Sequence, residues 1–428
     1  MHTLEELRSG KLHGLTRLTL SENIEEFPQE IYTLVDSLEI LDLSSNNLSS
    51  LPDDMHRFTK LKIAFFSNNL FTEVPSSFKN CHSLYMLGFK ANQIQAFDED
   101  ILPLSISWLI LTDNKIDKLP KSIGDLNKLQ KCALAGNKIE TLPHEMKKCK
   151  NLELVRLSAN SLKEVPSWLL RLPKLSWLAF SGNPCSGNQR FDLEKTAYKN
   201  FEIKELLGEG ASGEIYKAYS KVHKVDVAVK MFKGAVTSDG YAKDEMNAYM
   251  STGKHKHLIP VMAKIEEENR LGLVLELIPD TFKNLGYPPD FDTCTRDTFE
   301  EGKRFSVLTI LEVAKAIISS SSHLHFRGLM HGDLYAHNIL IDENSKTYLG
   351  DFGAASFYDI ENKDYEKIEV RAFGCLLEDM LNLCDDKQDS IYLNLEKLSK
   401  RCMTALIDNR PLFHELKGLV STKAFKSL

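Results

Sequence analysis

The stretch HGDLYAHN at residues 331–338, followed by DFG at residues 351–353, decides how the second half of this chain folds. Asp333 can accept or orient the proton of an incoming hydroxyl group. Five residues later Asn338 offers an amide oxygen, and Asp351 adds a carboxylate in a strand-to-turn context. Oxygen ligands of this kind hold Mg²⁺ on the phosphates of ATP. The two stretches together predict a site for phosphoryl transfer.

A glycine-rich turn lies upstream, in LGEGASGEI at residues 207–215. Glycines let backbone amides approach phosphate oxygens because no side chain stands in the way. A dinucleotide site uses a similar pattern but needs a helix directly after the glycines. Residues 214–219 alternate as in a strand, which favours a hairpin that covers a nucleotide. The predicted ATP-binding residues of this hairpin are Leu207, Gly208, Gly210, Gly213 and Ile215.

Two further segments lie between these motifs. An apolar strand, VAVK at residues 227–230, ends on Lys230, and a helical pattern over residues 241–251 follows. In that helix Glu245 could reach back to Lys230, and Asp244 is the nearest alternative. The apolar stretch LGLVLELI at residues 271–278 predicts a buried strand.

The first half of the chain is a repeat array. Asn recurs at positions 23, 46, 69, 92, 114, 137, 160 and 183, at intervals of 22 or 23 residues. The pattern around each Asn is LxxLxLxxN. We expect the leucines to pack against neighbouring units and the Asn side chain to satisfy backbone groups at the bend. The array resembles the leucine-rich repeat family, which implies an α/β solenoid in the shape of a horseshoe.

The composition indicates an intracellular protein. A net charge of −7 and a pI near 6.0 argue against nucleic acid as the main partner. The N-terminal residues contain no apolar signal segment, and no apolar run approaches the ~20 residues of a membrane span. The eight cysteines form no CxxC pair, which indicates free thiols in a reducing compartment. We therefore expect a cytoplasmic protein.

Residues 201–428 resemble a eukaryotic-type protein kinase domain. The shared motifs are the glycine-rich loop, VAVK, HxDLxxxxN, DFG, a Phe-Gly pair at 373–374 and the sequence Asp-Asn-Arg-Pro at 408–411. The resemblance implies a bilobal α+β fold. It also implies use of ATP with Mg²⁺ and transfer of the γ-phosphoryl group to a hydroxyl.

The resemblance also assigns roles to residues. Lys230 and Glu245 would position the ATP phosphates, Asp333 would act on the acceptor hydroxyl, and Asn338 and Asp351 would hold the metal. The remaining ATP contacts that it implies are Ala228 beside the base, Glu276 and Ile278 in the hinge, and Leu340 below the base.

The acceptor side of the motif set departs from the family pattern. Gly332 replaces the Arg that grips a phosphorylated activation loop. Tyr335 stands where a Lys or Arg often assists the acceptor. Glu369 stands where the family has an Asp, and no Ala-Pro-Glu triplet lies between it and Asp351. The resemblance therefore implies a shortened activation segment, in which Arg410 needs a new partner; Glu361 and Glu366 are the candidates.

The repeats predict a binding surface as well as a fold. Side chains alternate along a strand, so positions between the buried leucines face the concave surface. Repeats two to five place six apolar residues there: Ile40, Ile63, Phe65, Met86, Trp108 and Ile110. A contiguous exposed apolar patch typically binds protein. We expect the patch to bind a protein partner or the chain's own kinase domain, unless the inward and outward positions are misassigned.

These observations predict a multidomain protein: leucine-rich repeats at 1–184, a short linker at 185–200 and a protein kinase domain at 201–428. The expected activity is ATP-dependent phosphorylation of protein, on Ser or Thr rather than Tyr. Two alternatives remain open. HGDLYAHNIL also resembles small-molecule phosphotransferases of the aminoglycoside and choline kinase type, and a weakly active or non-catalytic scaffold would keep the fold without the chemistry.

Overall fold

The computed structural model describes residues 1–95, 98–187, 193–210, 212–233, 237, 239–268 and 270–421. The chain divides into two compact units. Unit 1 consists of Met1–Leu172 with Asn183–Cys185, and unit 2 consists of Pro173–Gly182 with Ser186–Leu428. The segment Pro173–Gly182, called the eighth-repeat segment below, therefore belongs to the second unit, although its sequence continues the repeat pattern.

Unit 1 is built from short parallel strands joined by turns. Its strands are β1 (Arg17–Thr19), β2 (Ile40–Asp42), β3 (Ile63–Phe65), β4 (Met86–Gly88), β5 (Trp108–Ile110), β6 (Lys131–Ala133) and β7 (Leu154–Arg156). They pair in chain order, and each residue faces its equivalent one repeat later, as Leu18 faces Leu41. Two short helices, α1 (Leu4–Arg8) and α2 (Ser167–Leu170), lie near the ends of the array.

The repeated Asn residues support the bends between repeats. Asn46 is buried, and its Nδ2 donates to the carbonyls of Leu20 and Leu43, at 2.9 Å each. Its Oδ1 accepts from the backbone N–H of Ile24 at 3.0 Å. The same donation to backbone carbonyls recurs at Asn69, Asn92, Asn114, Asn137, Asn160 and Asn183. The predicted role of the repeated Asn is confirmed at these positions.

The prediction of an exposed six-residue apolar patch is wrong for half of its members. Ile63, Met86 and Trp108 are buried, with exposed fractions of 2%, 0% and 9%. The Lys131 ammonium also lies 3.9 Å from the centre of the Trp108 ring.

What remains of the patch is a partly exposed strip, formed by Ile40, Phe65 and Ile110. The ring of Phe65 lies over Gly88 on the next strand, where an added Cβ would come within 2.8 Å of the ring. The glycine therefore lets this ring lie along the sheet. The apolar strip is narrower than the sequence predicts.

Unit 2 begins with the eighth-repeat segment, which contains β8 (Trp177–Ala179). Six strands then form a sheet in the order β10-β11-β12-β14-β13-β9. Their bounds are β9 Lys195–Thr196, β10 Phe201–Glu209, β11 Gly213–Ser220, β12 Val225–Phe232, β13 Val261–Glu267 and β14 Arg270–Glu276. Helix α3 (Ala242–Ser251) connects β12 to β13. Phe201, Val227 and Val274 belong to the buried core of this sheet.

The rest of unit 2 is mainly helical. Its helices are α4 (Val307–Phe326), α5 (Asp364–Asn382), α6 (Ser390–Cys402) and α7 (Phe413–Ser421). Short strands sit between them: β15 Lys283–Asn284, β16 Leu329–Met330, β17 Ile339–Ile341, β18 Thr347–Leu349 and β19 Ser356–Phe357. The order β15-β17-β18 makes one small sheet, and β16 pairs with β19. This combination of strand and helical parts confirms the predicted fold class.

Among the residues that the structure describes, α4 is long and apolar enough to cross a membrane by length and composition. The sequence predicts no apolar run long enough for a membrane span. Yet 61% of its apolar window is buried inside the protein, as in a core helix. The helix is therefore weak evidence for a membrane span.

Candidate active site

The strand β12 and the helix α3 bring Lys230 and Glu245 together. Both side chains are buried, with 4% and 2% of their surface exposed, and the Lys230 ammonium is hydrogen-bonded to the Glu245 carboxylate. Burial alone disfavours the charged ammonium, but the carboxylates of Asp351 and Glu245 outweigh burial and hold the pKa of Lys230 above its ordinary value. The structure thus places a fixed positive charge beside Asp351.

Asp244, the alternative partner in the sequence, takes no part in this pair. Its side chain lies near Gly182, where an added Cβ would come within 2.6 Å of the Asp244 carboxylate. Burial raises the pKa of Asp244. One position along a helix turns a side chain by about 100°, which separates these neighbouring acids.

The DFG segment is held against α3. The backbone N–H of Asp351 donates to the Tyr249 hydroxyl at 3.0 Å, and the N–H of Gly353 donates to Asp351 Oδ1 at 3.1 Å. Asp351 has a φ of 49°, the left-handed region that Asp tolerates better than most residues. Phe352 is 1% exposed, with its ring centre 4.8 Å from that of Tyr249. The buried Phe352 anchors the turn that presents Asp351.

The loop after β16 holds Asp333 and Asn338 in contact. Asn338 Nδ2 donates to the backbone carbonyl and to Oδ2 of Asp333, at 2.9 Å each. The amide nitrogen therefore fixes the orientation of the carboxylate. The backbone N–H of Gly350 donates to the Asn338 carbonyl at 2.9 Å, which ties this loop to the DFG strand.

His331 supports the same loop from within the core. It is fully buried, its Nε2 lies 2.8 Å from the Gly350 carbonyl, and its Nδ1 accepts from the N–H of Asp333 at 3.2 Å. The histidine connects Asp333 to the residue before the DFG turn. Its contacts are those of an orienting residue.

Glu369 is the second support of this loop. Its carboxylate accepts from the N–H groups of His331 at 3.2 Å and Gly332 at 2.9 Å, and lies 2.6 Å from His325 Nε2. Burial favours the neutral acid, yet His325, His331 and the Gly332 N–H together hold the pKa of Glu369 below its ordinary value. Glu369, which is longer than the Asp of the family pattern, thus accepts hydrogen bonds from the backbone of the loop.

The three glycines of the hairpin between β10 and β11 differ in their surroundings. A Cβ on Gly208 or Gly210 would meet nothing within 4 Å, whereas a Cβ on Gly213 would lie 2.2 Å from the Met231 carbonyl. Contacts within the protein require a glycine only at Gly213. The open space at Gly208 and Gly210 suits the close approach of a phosphate to the backbone.

The other predicted ATP contacts lie on the adjoining strands. Ala228 is buried on β12, while Ile215 pairs with Lys230 across the sheet. Leu207 is 48% exposed. The Glu276 N–H donates to the Pro260 carbonyl at 3.0 Å, so only the Glu276 carbonyl could serve a base. Ile278 and Leu340 are partly buried, and Leu340 lies on β17.

Sequence reasoning missed Asp297. This residue holds the C-terminal end of the loop of residues 331–338, which is called the catalytic loop below. Its carboxylate accepts from the N–H groups of Ala336 and His337, and its Oδ1 lies 2.7 Å from His337 Nδ1. Although burial opposes protonation of the ring, the contact with Asp297 raises the pKa of His337. Asp297 lies in no recognisable motif, and no sequence signal identifies it.

The prediction that Glu361 or Glu366 pairs with Arg410 is wrong. Arg410 donates to the backbone carbonyls of Thr404 at 2.9 Å, Lys367 at 3.3 Å and Pro173 at 2.7 Å. Glu366 instead accepts from the backbone N–H of Phe413 at 2.7 Å. Burial lowers the pKa of Arg410 to about 10.

The site is of the phosphotransferase class. It combines a buried Lys–Glu pair, an Asp that is oriented by an Asn, and a second Asp beside the Lys. Comparison with known families agrees, because the protein kinase domain matches residues 201–373 and the leucine-rich repeat matches residues 37–58. The chain contains leucine-rich repeats followed by a domain of the protein kinase family.

Individual relatives cover parts of the chain. Human testis-specific serine/threonine-protein kinase 4 is 29% identical over 36% of this chain and 44% of its own length. Serine/threonine-protein kinase ksg1 of Schizosaccharomyces pombe is 25% identical over 43% of this chain and 30% of its own length. Fibroblast growth factor receptor 1 of Dugesia japonica is 24% identical over 54% of this chain and 32% of its own length. The chain spans less than half the length of these curated relatives.

Proposed function

We propose that unit 2 is an ATP-dependent protein kinase that phosphorylates Ser or Thr. The observation that carries the proposal is the assembled charge cluster, in which Lys230 is paired with Glu245 while Asp351 is presented beside it. A scaffold has no need for a buried cation held between two carboxylates, since such a cluster is costly to desolvate.

The donor set fits ATP with Mg²⁺. The Asn338 amide uses its nitrogen on Asp333, which leaves the oxygen as a ligand, and Asp351 adds a carboxylate. Mg²⁺ takes only one or two protein ligands when phosphates and water supply the others. The metal would neutralise charge on the phosphates.

The chemistry then follows from the positions of the side chains. Lys230 would bind phosphate oxygens, and the backbone at Gly208 and Gly210 would lie over them. Asp333 would accept the proton of the acceptor hydroxyl as its oxygen bonds to the γ-phosphorus. The bond between that phosphorus and the bridging oxygen breaks, and ADP leaves.

The test is transfer of labelled phosphate from ATP with Mg²⁺, in the full chain, to a mixed protein pool and to the enzyme itself. The Asp333→Asn variant keeps the shape but removes the base, so label on Ser or Thr should fall to background. Asp290→Asn is the matched control, because Asp290 caps an exposed turn with two backbone bonds.

A small-molecule acceptor is the second candidate. The observation that favours it is the short stretch between DFG and α5, residues 354–363, which leaves little chain for docking a protein substrate. Label that appears only on added small hydroxyl compounds would select this candidate. ATP binding without any transfer would select a scaffold.

We further propose that unit 1 binds a protein partner, and that the protein works in the cytoplasm. The partly exposed strip of Ile40, Phe65 and Ile110 supports the first part, and the second is supported by the lack of a disulfide among the cysteines that the structure describes.

A further inference from the structure

The eighth-repeat segment, Pro173–Gly182, packs within unit 2 against the loop that carries Asp333. Trp177 is 1% exposed, and its Nε1–H donates to the carbonyl of Leu334, the residue after Asp333, at 3.1 Å. Its ring is stacked on that of Tyr335, with centres 4.4 Å apart and planes 7° apart. Two separate contacts therefore link Trp177 to consecutive residues of the catalytic loop.

The stacking of aromatic rings continues along the catalytic loop, from Tyr335 to His337. The ring of Tyr335 lies 5.1 Å from that of His337, and His337 is held by Asp297. Trp177 and Asp297 thus hold the loop from its two sides. Tyr335, which stands where a Lys or Arg often assists the acceptor, is buried inside this stack.

The same segment also contacts the short stretch after DFG. The backbone N–H of Phe180 donates to Ser356 Oγ at 3.0 Å, and the Phe180 ring lies 5.2 Å from that of Tyr365. Ser356 is fully buried, and Tyr365 is 8% exposed. The side of the short stretch that contacts this segment is closed to solvent.

This packing requires a glycine at position 332. Gly332 has a φ of +76°, and a Cβ there would lie 2.7 Å from the Leu178 carbonyl and 2.6 Å from that of Ala354. An Arg at this position would collide with the backbone of both segments. The departure from the family pattern at residue 332 is therefore coupled to the presence of the eighth-repeat segment.

Two arginines complete the attachment. Arg371 donates to Ser176 Oγ at 2.6 Å, and Arg410 donates to the Pro173 carbonyl at 2.7 Å. Arg410 is 2% exposed, and its hydrogen bonds to Thr404, Lys367 and Pro173 all end on backbone carbonyls. A buried guanidinium needs such acceptors, because an unpaired buried charge is strongly destabilising.

We propose that the eighth-repeat segment is a permanent positioning element of the catalytic loop, with Trp177 as its positioning residue. It fills, within the same chain, the place of the activation-segment platform that this sequence lacks. The proposal rests on the proposed kinase function, since it concerns the placement of Asp333 for transfer. Its consequence is that the loop is ordered without phosphorylation.

The experiment compares Trp177→Ala, Trp177→Phe and the control Trp168→Ala in the full chain. Five quantities are measured: kcat, the acceptor KM, the Kd of ATP with Mg²⁺, thermal stability, and hydrogen exchange of the backbone amides in residues 331–338. Trp168 is a partly buried Trp of unit 1, on α2, and serves as the matched residue.

For Trp177→Ala we expect kcat to fall by about tenfold or more, with the ATP Kd within about twofold of wild type. Exchange in residues 331–338 should become faster. Trp177→Phe keeps an aromatic ring against Tyr335 but lacks the N–H donor, so it should recover much of the loss. Trp168→Ala should match wild type in kcat, in ATP Kd and in exchange of residues 331–338.

Two results would overturn the proposal. One is wild-type kcat and exchange in Trp177→Ala. The other is a parallel loss of kcat, ATP affinity and thermal stability in both Trp177 variants, which would make Trp177 a structural residue only. If the wild type itself transfers no phosphate, the proposed function fails, and the exchange measurement alone still decides whether Trp177 orders the loop.

Discussion

The ATP side and the acceptor side of unit 2 are built in different ways. On the ATP side, Lys230, Glu245 and Asp351 come from motifs with fixed spacing, and the structure brings them together as those motifs imply. On the acceptor side, the loop around Asp333 is held by Trp177, Asp297 and Glu369, which lie in no common motif. The proposed phosphate site follows local sequence, whereas the placement of Asp333 for an acceptor depends on long-range packing.

The largest effect is expected on the ATP side, from Lys230→Met. The variant removes the buried charge that balances Glu245 and Asp351, so phosphate transfer should fall by about 10³-fold, roughly 4 kcal/mol in transition-state free energy. The measurement is initial rate of labelled phosphate transfer. Lys204→Met is the control, because Lys204 forms a half-exposed pair with Asp226 on the same sheet. Equal rates in Lys230→Met and wild type would remove the basis of the proposed site.

A second prediction separates buried from accessible residues in unit 1. Ile63→Glu places a carboxylate at a position that is 2% exposed, so the free energy of unfolding should fall by more than about 3 kcal/mol. Urea denaturation measures the loss. Leu70→Glu, at a position 49% exposed, should stay within about 0.5 kcal/mol of wild type. Loss of a partner in Ile63→Glu would therefore not identify a docking face, and substitutions at Ile40 or Ile110 are the informative ones.

A third prediction tests the far anchor of the acceptor side. Asp297→Ala leaves the N–H groups of Ala336 and His337 without their acceptor, which should cost about 1–3 kcal/mol of stability. We expect kcat to fall while the ATP Kd stays unchanged, since the Lys230 site is not touched. Asp290→Ala, at an exposed turn, is the control. A loss of ATP affinity equal to the loss of kcat would contradict the separation of the two sides.

The smallest effect concerns phosphorylation of the short stretch after DFG and of Tyr365, at the start of α5. Ser356, Tyr358 and Tyr365 are buried, with exposed fractions of 0%, 8% and 8%. Incubation with ATP, followed by mass spectrometry, should find no phosphate on these three residues, and activity should not rise with time. Stoichiometric phosphate on any of them, with a rise in rate, would show that this stretch opens and regulates the enzyme.

The sequence supports expectations about local structure better than expectations about long-range packing. The repeat period predicted parallel strands and the Asn bonds, because each repeat contacts its neighbours in the same register. It did not predict the burial of Met86 and Trp108, since burial depends on which groups pack against a position and not on the repeat period. Similarly, Arg410 donates to backbone carbonyls, and the residue types in the sequence do not indicate such acceptors.

By itself, the sequence determined the two kinds of domain and predicted which residues bind phosphate. Those features depend on short spacings, which fix the direction of side chains along one strand, helix or turn. Only the tertiary structure decided that Pro173–Gly182 belongs to unit 2 and that Trp177 contacts the loop of Asp333. Contacts between residues more than 150 positions apart depend on how finished elements pack, and the local pattern of the eighth repeat is the same whichever surface it meets.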